Sequence, residues 1–488
     1  MASRDAARPN VVLVLTDDQG PWAMSCAGNE EIRTPTLDAL AASGTRLTHF
    51  YCASPVCSPA RASLFTGRMP SVHGVHDYLD APGVGRGAID FLAGQPTFTD
   101  DLADAGYRLG MVGKWHLGAN EVPRTGFVRW LAHDGGGGPY YGAPLHDEDG
   151  PVEAPGYVTE VFTDAAQAFI AGESDRPEPF YLSVHYTAPH SPWAGSHPQE
   201  FTDLYADCAF ESVPTEPRHP WVPLVDWHPI GGEADERAAL EGYFAAVSAM
   251  DAGVGRILQT LDETGLRENT VVIVTSDNGF SCGHHGVWGK GNGTFPQNMY
   301  EESVTVPFLV SWPGHLPAGQ VREELISAYD LAPTIRELCG IADPADRLAP
   351  GESFLSLLRG APGGEREHVV VHDEYGPVRM IRTRDWKYVH RYPHGPHELY
   401  HLAEDPGERC NLAHDPSCDD RRGDLAGRLA SWFATYSLPE TDGVRLPVTG
   451  AGQRAPVRDG GGLTAFTTPT AFAPRPQASA KESPPREL

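Results

Sequence analysis

Short apolar runs that end in polar residues or glycine constrain the fold of this chain more than any other sequence feature. They cover residues 11–15, 109–112, 180–185, 271–275 and 306–310. Runs of this length, rich in β-branched and aromatic residues, are typical of parallel strands that are buried on both faces. Helical patterns lie between them, at residues 36–43, 97–105 and 237–263. The alternation predicts an α/β fold in which a large, mostly parallel sheet is sandwiched by helices.

A different pattern begins after about residue 345. Four short segments are typical of antiparallel strands, and a helical pattern follows them; these are residues 368–375, 378–384, 386–392 and 398–401, then 421–436. From residue 441 onward the chain is rich in Gly and Pro and has no apolar period. We therefore predict a large domain over residues 1–345, a small α+β subdomain with an antiparallel sheet over residues 346–440, and a disordered tail over residues 441–488.

The charge of the chain excludes one class of partner. Its 37 Lys and Arg residues are outnumbered by 65 Asp and Glu residues, which gives a formal net charge of −28. Nucleic-acid binding needs clustered basic residues, so we expect no nucleic-acid partner. The first apolar run has only five residues and follows a polar start, which is too short for a membrane span or a signal segment. We expect a protein of the cytoplasm, with no membrane partner.

The eight cysteines lack the spacing of a disulfide framework or a zinc site. None of them forms a Cys-x-x-Cys pair. This pattern predicts reduced thiols, as is usual in the cytoplasm.

Two pairs of oxygen-bearing residues follow two of the predicted strands. Asp17 and Asp18 come after the first run, and Asp277 and Asn278 come after the fourth. Each pair alone has a simpler explanation, as a helix cap or as an Asp-Asn-Gly turn. Because ligand sites in open α/β sheets gather at the carboxyl ends of strands, both pairs together predict a shared hard cation, Ca²⁺ or Mg²⁺.

The segment that begins at Cys57 carries a more specific pattern. Residues 57–61 read Cys-Ser-Pro-Ala-Arg, and residues 66–68 read Thr-Gly-Arg. The alternative interpretation is a buried structural cysteine before a helix that starts at Pro59. The pattern resembles the signature of the sulfatase family, which comprises formylglycine-dependent, arylsulfatase-like hydrolases of the alkaline phosphatase superfamily. The resemblance implies the alkaline phosphatase-like fold, with the catalytic site in residues 1–345.

Three further segments resemble motifs of the same family. They are Gly-Lys-Trp-His at residues 113–116, Pro-His-Ser-Pro at 189–192, and a His-Gly, Gly-Lys and Tyr-Glu-Glu series within 285–302. The resemblance extends from residue 11 to about residue 412. Residues 291–298 lengthen the link before Tyr300, and His284 stands where an acidic residue is more usual. His185, just before the second segment, is interpreted as structural.

The resemblance implies how the nucleophile is made and held. Cys57 would be oxidised to formylglycine by a dedicated formylglycine-generating enzyme, and one hydroxyl of the hydrated aldehyde would attack sulfur. Arg61 would hold the formylglycine and the metal ligands in place. The implied ligands of Ca²⁺ or Mg²⁺ are Asp17, Asp18, residue 57, Asp277 and Asn278.

The resemblance also assigns basic residues to the sulfate and to the protons. Lys114 and Lys290 would bind sulfate oxygens. His190 would protonate the departing alcohol, and His116 would help to remove the proton of the second hydroxyl so that sulfate can leave. The implied catalytic set is Cys57, Arg61, Lys114, His116, His190 and Lys290, and the implied substrate-binding set is Lys114, His190, Lys290 and His285.

The predicted function is therefore hydrolysis of a sulfate ester, of an aryl or carbohydrate alcohol, to the alcohol and inorganic sulfate. One alternative is a phosphonate monoester or phosphodiester hydrolase of the same superfamily, although two lysines favour sulfate. A second alternative is a non-catalytic binding protein on a sulfatase scaffold, which the complete motif set disfavours. The expected substrate is a small molecule or a carbohydrate. The sequence makes no prediction of oligomeric state.

Overall fold

A large mixed sheet forms the centre of the protein. The structure is a computed structural model that describes residues 8–80, 84–85, 87–222, 233–361, 366–375, 377–457, 464–467 and 486–487. The strands in these ranges are β1 (Asn10–Thr16), β2 (Thr45–Tyr51), β3 (Arg108–Lys114), β4 (Phe127–His133), β5 (Pro144–Asp147), β6 (Gly150–Glu153), β7 (Phe180–His185), β8 (Thr270–Ser276), β9 (Ser281–Cys282), β10 (Trp288–Gly289), β11 (Thr305–Ser311), β12 (Gln320–Arg322), β13 (Ile326–Ser327), β14 (Val369–Asp373), β15 (Val378–Arg382), β16 (Trp386–Arg391), β17 (Glu398–His401) and β18 (Arg486–Glu487).

The order of the strands places β1 near the middle of the sheet. Within the described residues the order is β12-β2-β11-β8-β1-β7-β3-β4-β5-β6-β18, with β13 also paired to β2. β1 runs parallel to β7 and β8, and β3 runs parallel to β7 and β4. The predictions of parallel strands at residues 11–15, 109–112, 180–185 and 271–275 are therefore confirmed.

The predicted direction of the fifth strand is wrong. Residues 306–310 lie in β11, which runs antiparallel to both β8 and β2. A parallel strand needs a crossover that returns along the whole sheet, usually through a long helix. The chain between β8 and β11 instead stays at one edge, where the backbone N–H of Gly279 donates to the carbonyl of Ser303 at 3.1 Å. The polypeptide therefore re-enters the sheet from the edge at which it left.

Helices cover both faces of the large sheet. They are α1 (Pro35–Ala42), α2 (Cys57–Thr66), α3 (Pro70–His73), α4 (Phe98–Asp104), α5 (Val158–Glu173), α6 (Gln199–Thr202), α7 (Glu233–Glu263), α8 (Glu301–Val304), α9 (Leu331–Leu338), α10 (Leu355–Leu358) and α11 (Asp419–Tyr436). Val11 and Leu13 of β1 pack in one core with α2, α4 and α9, whereas Val12 and Val14 pack in a second core with α1, α5 and α7. Successive strand residues point to opposite faces, so the predicted sandwich is confirmed.

The described helices include no candidate for a membrane span, because none combines sufficient length with sufficient apolar character.

The N-termini of two helices are stabilised by side chains that accept hydrogen bonds from the backbone. Thr97 accepts from the backbone N–H of Asp100, and Asp100 accepts from that of Thr97, which forms a capping box before α4. At α1 the carboxylate of Asp251, on α7, accepts from the backbone N–H groups of Thr36 and Leu37.

The small C-terminal sheet is also confirmed. β14 to β17 form an antiparallel four-stranded sheet, followed by α11, and the predicted bounds agree within about two residues. Val371, Met380 and Leu425 belong to the same hydrophobic core as Phe50 of the large sheet. The domain boundaries at residues 345 and 440 stay a prediction.

The prediction of a disordered tail is wrong for residues 441–457 and 464–467, which pack against the large domain. Gln453 is completely buried, and its amide donates to the carbonyl of Gly74 at 2.7 Å. One buried glutamine can hold an irregular segment by satisfying backbone groups, and composition does not reveal this. Residues 486–487 pair with β6. The other residues of the predicted tail lie outside the described ranges.

Candidate active site

The oxygen-bearing residues that follow β1 and β8 lie together, as the sequence predicts. The two strands pair in parallel with Thr16 opposite Ser276, so the residues that follow them emerge at the same edge. One ligand atom from each of Asp17, Asp18, Cys57 and Asp277 lies within 4.8 Å of all the others, and the four residues are buried. We call these four residues the carboxylate cluster.

Cys57 joins the carboxylate cluster because it is the first residue of α2, a helix whose every residue is buried. Its thiol lies 3.4 Å from Asp17 Oδ1, and Lys290 Nζ lies 2.7 Å from its sulfur. Burial and the neighbouring Asp17 carboxylate raise the pKa of the Cys57 thiol to about 12. The unmodified side chain is therefore a protonated thiol at neutral pH, which is a weak nucleophile.

Three buried cations balance the three carboxylates. Lys114 Nζ lies 2.5 Å from Asp17 Oδ2, and Lys290 Nζ lies 2.5 Å from Asp18 Oδ1. Arg61, from the second turn of α2, donates from Nε to Asp277 Oδ2 at 2.8 Å, so it fixes a residue of the carboxylate cluster. With three negative and three positive side chains, the site is formally neutral even though the whole chain is strongly acidic.

Arg61 also links α2 to β3. Its Nη1 donates to the carbonyl of Lys114 at 2.7 Å, and this carbonyl also accepts from Nδ1 of His185 at 3.0 Å. His185 is completely buried, and burial lowers its pKa to about 3. Its contacts agree with the interpretation of His185 as structural, because they hold the end of β3 and not a substrate.

The donor set fits a hard divalent cation. Asn278 donates from Nδ2 to Asp18 Oδ1 at 2.7 Å and to the carbonyl of Gly279 at 3.0 Å. Its Oδ1 is buried and has no hydrogen-bond partner among the described residues. A buried acceptor without a partner needs an explanation, and a cation beside carboxylate oxygens provides one. Asp18 adds a left-handed backbone, with φ of 63°, a strained conformation that clusters at functional sites.

Two histidines flank the carboxylate cluster with opposite surroundings. His190 Nε2 lies 3.7 Å from Asp18 Oδ2, and its side chain is 23% exposed. His116 is buried, and its backbone has a left-handed conformation with φ of 57°. Burial and the nearby charge of Lys114 hold the pKa of His116 well below its usual value. The site therefore offers one solvent-accessible imidazole and one buried, neutral imidazole.

Comparisons with known proteins decide the family. A sequence model of the sulfatase family matches residues 9–341, which is more than half of the chain. This chain belongs to the sulfatase family. A second model, described as the C-terminal part of N-sulphoglucosamine sulphohydrolase, matches residues 283–434. As a sulfatase, the protein is a sulfuric ester hydrolase.

Several relatives of this sulfatase match over most of their length. Human arylsulfatase A is 32% identical, over 83% of this chain and 84% of the relative. An N-acetylglucosamine-6-O-sulfatase from Bacteroides thetaiotaomicron is 26% identical, over 84% of this chain and 83% of the relative. A structure in complex with its substrate, D-glucosamine-2-N,6-O-disulfate, has a TM-score of 0.77 at 24% identity, covering 89% of this chain and 99% of that chain. This last likeness shows the shared fold.

A glycine loop of the sulfatase completes the surroundings of both histidines, and the sequence reasoning missed it. A Cβ atom on Gly136 would lie 2.4 Å from Cε1 of His116, and one on Gly137 would lie 2.7 Å from Cε1 of His190. Distances this short leave no room for any larger residue without displacing an imidazole. The signal that could have identified the loop was the run of four glycines at residues 135–138.

His285 lies in different surroundings from the other predicted site residues of the sulfatase. Its ring stacks on Tyr300 with a centroid distance of 3.7 Å, and its Nε2 lies 3.5 Å from Glu302. Its backbone N–H donates to Glu216 at 3.2 Å. These contacts group His285 with the Tyr-Glu-Glu segment, and its role in substrate binding stays a prediction.

Proposed function

We propose that this sulfatase hydrolyses a sulfate ester of an aryl or carbohydrate alcohol, with residue 57 as a formylglycine nucleophile and with one bound Ca²⁺ or Mg²⁺. The observation that carries the proposal is the meeting of Cys57 with three aspartates and two lysines in one buried cluster. A structural thiol does not need such neighbours. The signature around Cys57 supports modification by a formylglycine-generating enzyme, which would be the maturation partner.

The modified residue and the cation would each supply one piece of chemistry. The hydrated aldehyde would supply one hydroxyl that attacks sulfur and a second that allows sulfate to leave. A cation held by Asp17, Asp18, residue 57, Asp277 and Asn278 would polarise the sulfate. The donor set of oxygens favours Ca²⁺ or Mg²⁺ over zinc.

Charge explains how an acidic protein can bind an anion. The charges of the three carboxylates and the three basic side chains of the site sum to zero. A bound divalent metal ion would therefore make the site locally positive. Lys290 Nζ contacts the sulfur of Cys57, and Lys114 Nζ pairs with Asp17, whose carboxylate lies beside the same sulfur. Both ammonium groups would therefore be within reach of a sulfate bound at residue 57. Preorganised positive groups in a buried site stabilise the charge that develops on the sulfate oxygens. Arg61 keeps Asp277 in place during this step.

The two histidines have complementary roles in this proposal. His190, the more exposed one, would donate a proton to the oxygen of the departing alcohol. His116, buried and neutral, would accept the proton of the second hydroxyl. The carbohydrate class of substrate is supported by a relative that is named as an N-acetylglucosamine-6-O-sulfatase, and the aryl class by human arylsulfatase A.

The role of His190 predicts a dependence on the leaving group. His190→Ala is expected to lower kcat/KM about 100-fold or more for an alkyl or sugar sulfate, because these alcohols leave only when protonated. The loss should be much smaller for 4-nitrophenyl sulfate, because nitrophenolate leaves without a proton. The measurement compares kcat/KM of the wild-type and variant enzymes, both produced with a formylglycine-generating enzyme, on both substrates.

A surface histidine provides the matched control for this series. His414 is exposed, so His414→Ala should leave both kcat/KM values unchanged. An equal loss on both substrates in His190→Ala would contradict the role of proton donor. Failure of the matured wild-type enzyme to hydrolyse any sulfate ester would contradict the proposed function itself.

A further inference from the structure

A C-terminal segment beyond both family matches lies against the chain that follows α2 and α3. The matches end at residues 341 and 434. We call residues 441–457 and 464–467 the C-terminal strap. Thr441 Oγ1 donates to the carbonyl of Ser71 in α3, and Phe466 packs edge-on against His76. The strap therefore covers the chain that follows α2 and α3, which is the chain that leads away from Cys57.

Gln453 joins the strap to residues 76–80 through several hydrogen bonds. Its Oε1 accepts from the backbone N–H groups of His76 at 2.7 Å and Asp77 at 3.2 Å. Its backbone N–H donates to the carbonyl of Tyr78 at 2.8 Å, and its carbonyl accepts from Asp80 at 3.4 Å. Both the side chain and the backbone of Gln453 are therefore hydrogen-bonded to residues 76–80, so the strap holds this loop in place.

The same loop contacts the catalytic residue His116, and the neighbour of Cys57, through Leu79. The backbone N–H of Leu79 donates to Ser58 Oγ at 3.1 Å, one residue after Cys57. The carbonyl of Leu79 lies 3.1 Å from Nε2 of His116. Leu79 also pairs with Gln453 in an isolated parallel bridge. A continuous series of hydrogen bonds thus joins the strap to the buried imidazole.

The contact with Leu79 decides which nitrogen of His116 carries the proton. A carbonyl oxygen only accepts, so Nε2–H must be the donor. Since burial keeps His116 neutral, Nδ1 is then the unprotonated nitrogen, and it has no hydrogen-bond partner among the described residues. An unprotonated nitrogen without a partner is the atom that a proton acceptor needs.

We propose that Gln453 is a positioning residue for the release of sulfate. By holding residues 76–80, it fixes the carbonyl of Leu79, and this carbonyl fixes the orientation and the protonated nitrogen of His116. The inference rests on the proposed function, in which His116 accepts the proton of the second hydroxyl. It makes the C-terminal strap a part of the active site.

The test is Gln453→Met in the full-length enzyme, because methionine keeps the volume and removes the side-chain hydrogen bonds. Release of sulfate should become slow while release of the alcohol stays fast. We expect kcat to fall about tenfold, KM to fall with it, and kcat/KM to stay close to that of the wild type. Stopped-flow measurement with 4-nitrophenyl sulfate should show a burst of nitrophenol that the wild type lacks. Partial unfolding would lower kcat without lowering KM and without a burst.

The spectroscopic readout does not depend on turnover. With ¹⁵N-labelled histidine, the His116 ring of the wild type should show protonated Nε2 and unprotonated Nδ1, and Gln453→Met should show a mixture. Thr441→Val is the control variant, because it removes a hydrogen bond of the strap to α3 and leaves Gln453 in place. It should match the wild type in all these measurements.

Unchanged kcat and an unchanged His116 ring in Gln453→Met would overturn the inference, as would a fall in kcat at constant KM without a burst. If Gln453→Met does not fold, Gln453→Glu replaces it, because it keeps an acceptor for His76 and Asp77 and loses only the donor to the carbonyls of Gly74 and Ala455. A smaller fall in kcat, again with a fall in KM, is expected there, and no change would overturn the inference. Absence of turnover in the wild type would instead count against the proposed function.

Discussion

Cys57→Ala is expected to abolish hydrolysis of sulfate esters while the protein stays folded. Residue 57 is the only predicted nucleophile, and removal of a nucleophile costs at least about 10³-fold in kcat. The fold should tolerate the change, because the hydrogen bonds of the thiol among the described residues join it to side chains of the site, Asp17 and Lys290, and not to the core. The measurement is kcat/KM on 4-nitrophenyl sulfate, with circular dichroism to confirm the folded state.

Cys339→Ala is the matched control for this prediction. Cys339 is also buried, but it follows α9 and takes no part in the site. Its replacement should lower stability slightly and leave kcat/KM unchanged. Mass mapping of the peptide that contains residue 57 should show formylglycine in the wild type and in Cys339→Ala. Activity of Cys57→Ala above a few per cent of the wild type would contradict the role of residue 57.

Removal of the divalent cation is expected to have a second large effect. Elemental analysis of the purified protein should find one Ca²⁺ or Mg²⁺ per chain, and chelation should reduce activity to the background. Because the cation binds only the folded protein, its removal should also lower the melting temperature. Restored activity and melting temperature on return of the cation would show that the loss was not denaturation.

A variant separates the cation from general effects of the chelator. Asn278→Leu removes the unpartnered Oδ1 and keeps the size of the side chain, so its metal content should fall at a given free concentration. Asn269→Leu, half-buried before β8, is the control and should keep a full complement of metal. Full metal content in Asn278→Leu would remove Asn278 from the ligand set. Full activity of a chelated enzyme shown to be metal-free would remove the cation from the mechanism.

The fold could be predicted where local pattern decides it. Apolar runs identified the central strands because a strand buried on both faces has no polar positions. The direction of β11 could not be predicted, because it depends on how the chain between Asn278 and Val304 returns to the sheet. The packed strap also escaped prediction. The ordered structure of the strap depends on contacts between Gln453 and residues such as His76, which is 377 positions away in the chain. Amino-acid composition does not reveal such contacts.

The site could be predicted where side chains carry the chemistry. Asp17, Asp277 and Cys57 were recognisable from their residue types and from their places after strands or in the signature. The geometry brings them together because parallel strands end at one edge of the sheet. The supporting groups were not recognisable, because they act through the backbone. The carbonyl of Leu79 accepts a hydrogen bond from His116, and Gly136 leaves room for the His116 ring because it has no side chain.

The most direct test of the proposed sulfatase activity compares one leaving group in four esters. The wild-type enzyme, matured by a formylglycine-generating enzyme, would be assayed with 4-nitrophenol carried as a sulfate, a phosphate monoester, a phosphate diester and a phosphonate. We expect kcat/KM for the sulfate to exceed the other three values by orders of magnitude. A higher kcat/KM for the diester or the phosphonate would contradict the proposed sulfate substrate and would make the enzyme a phosphonate monoester or phosphodiester hydrolase with the same nucleophile.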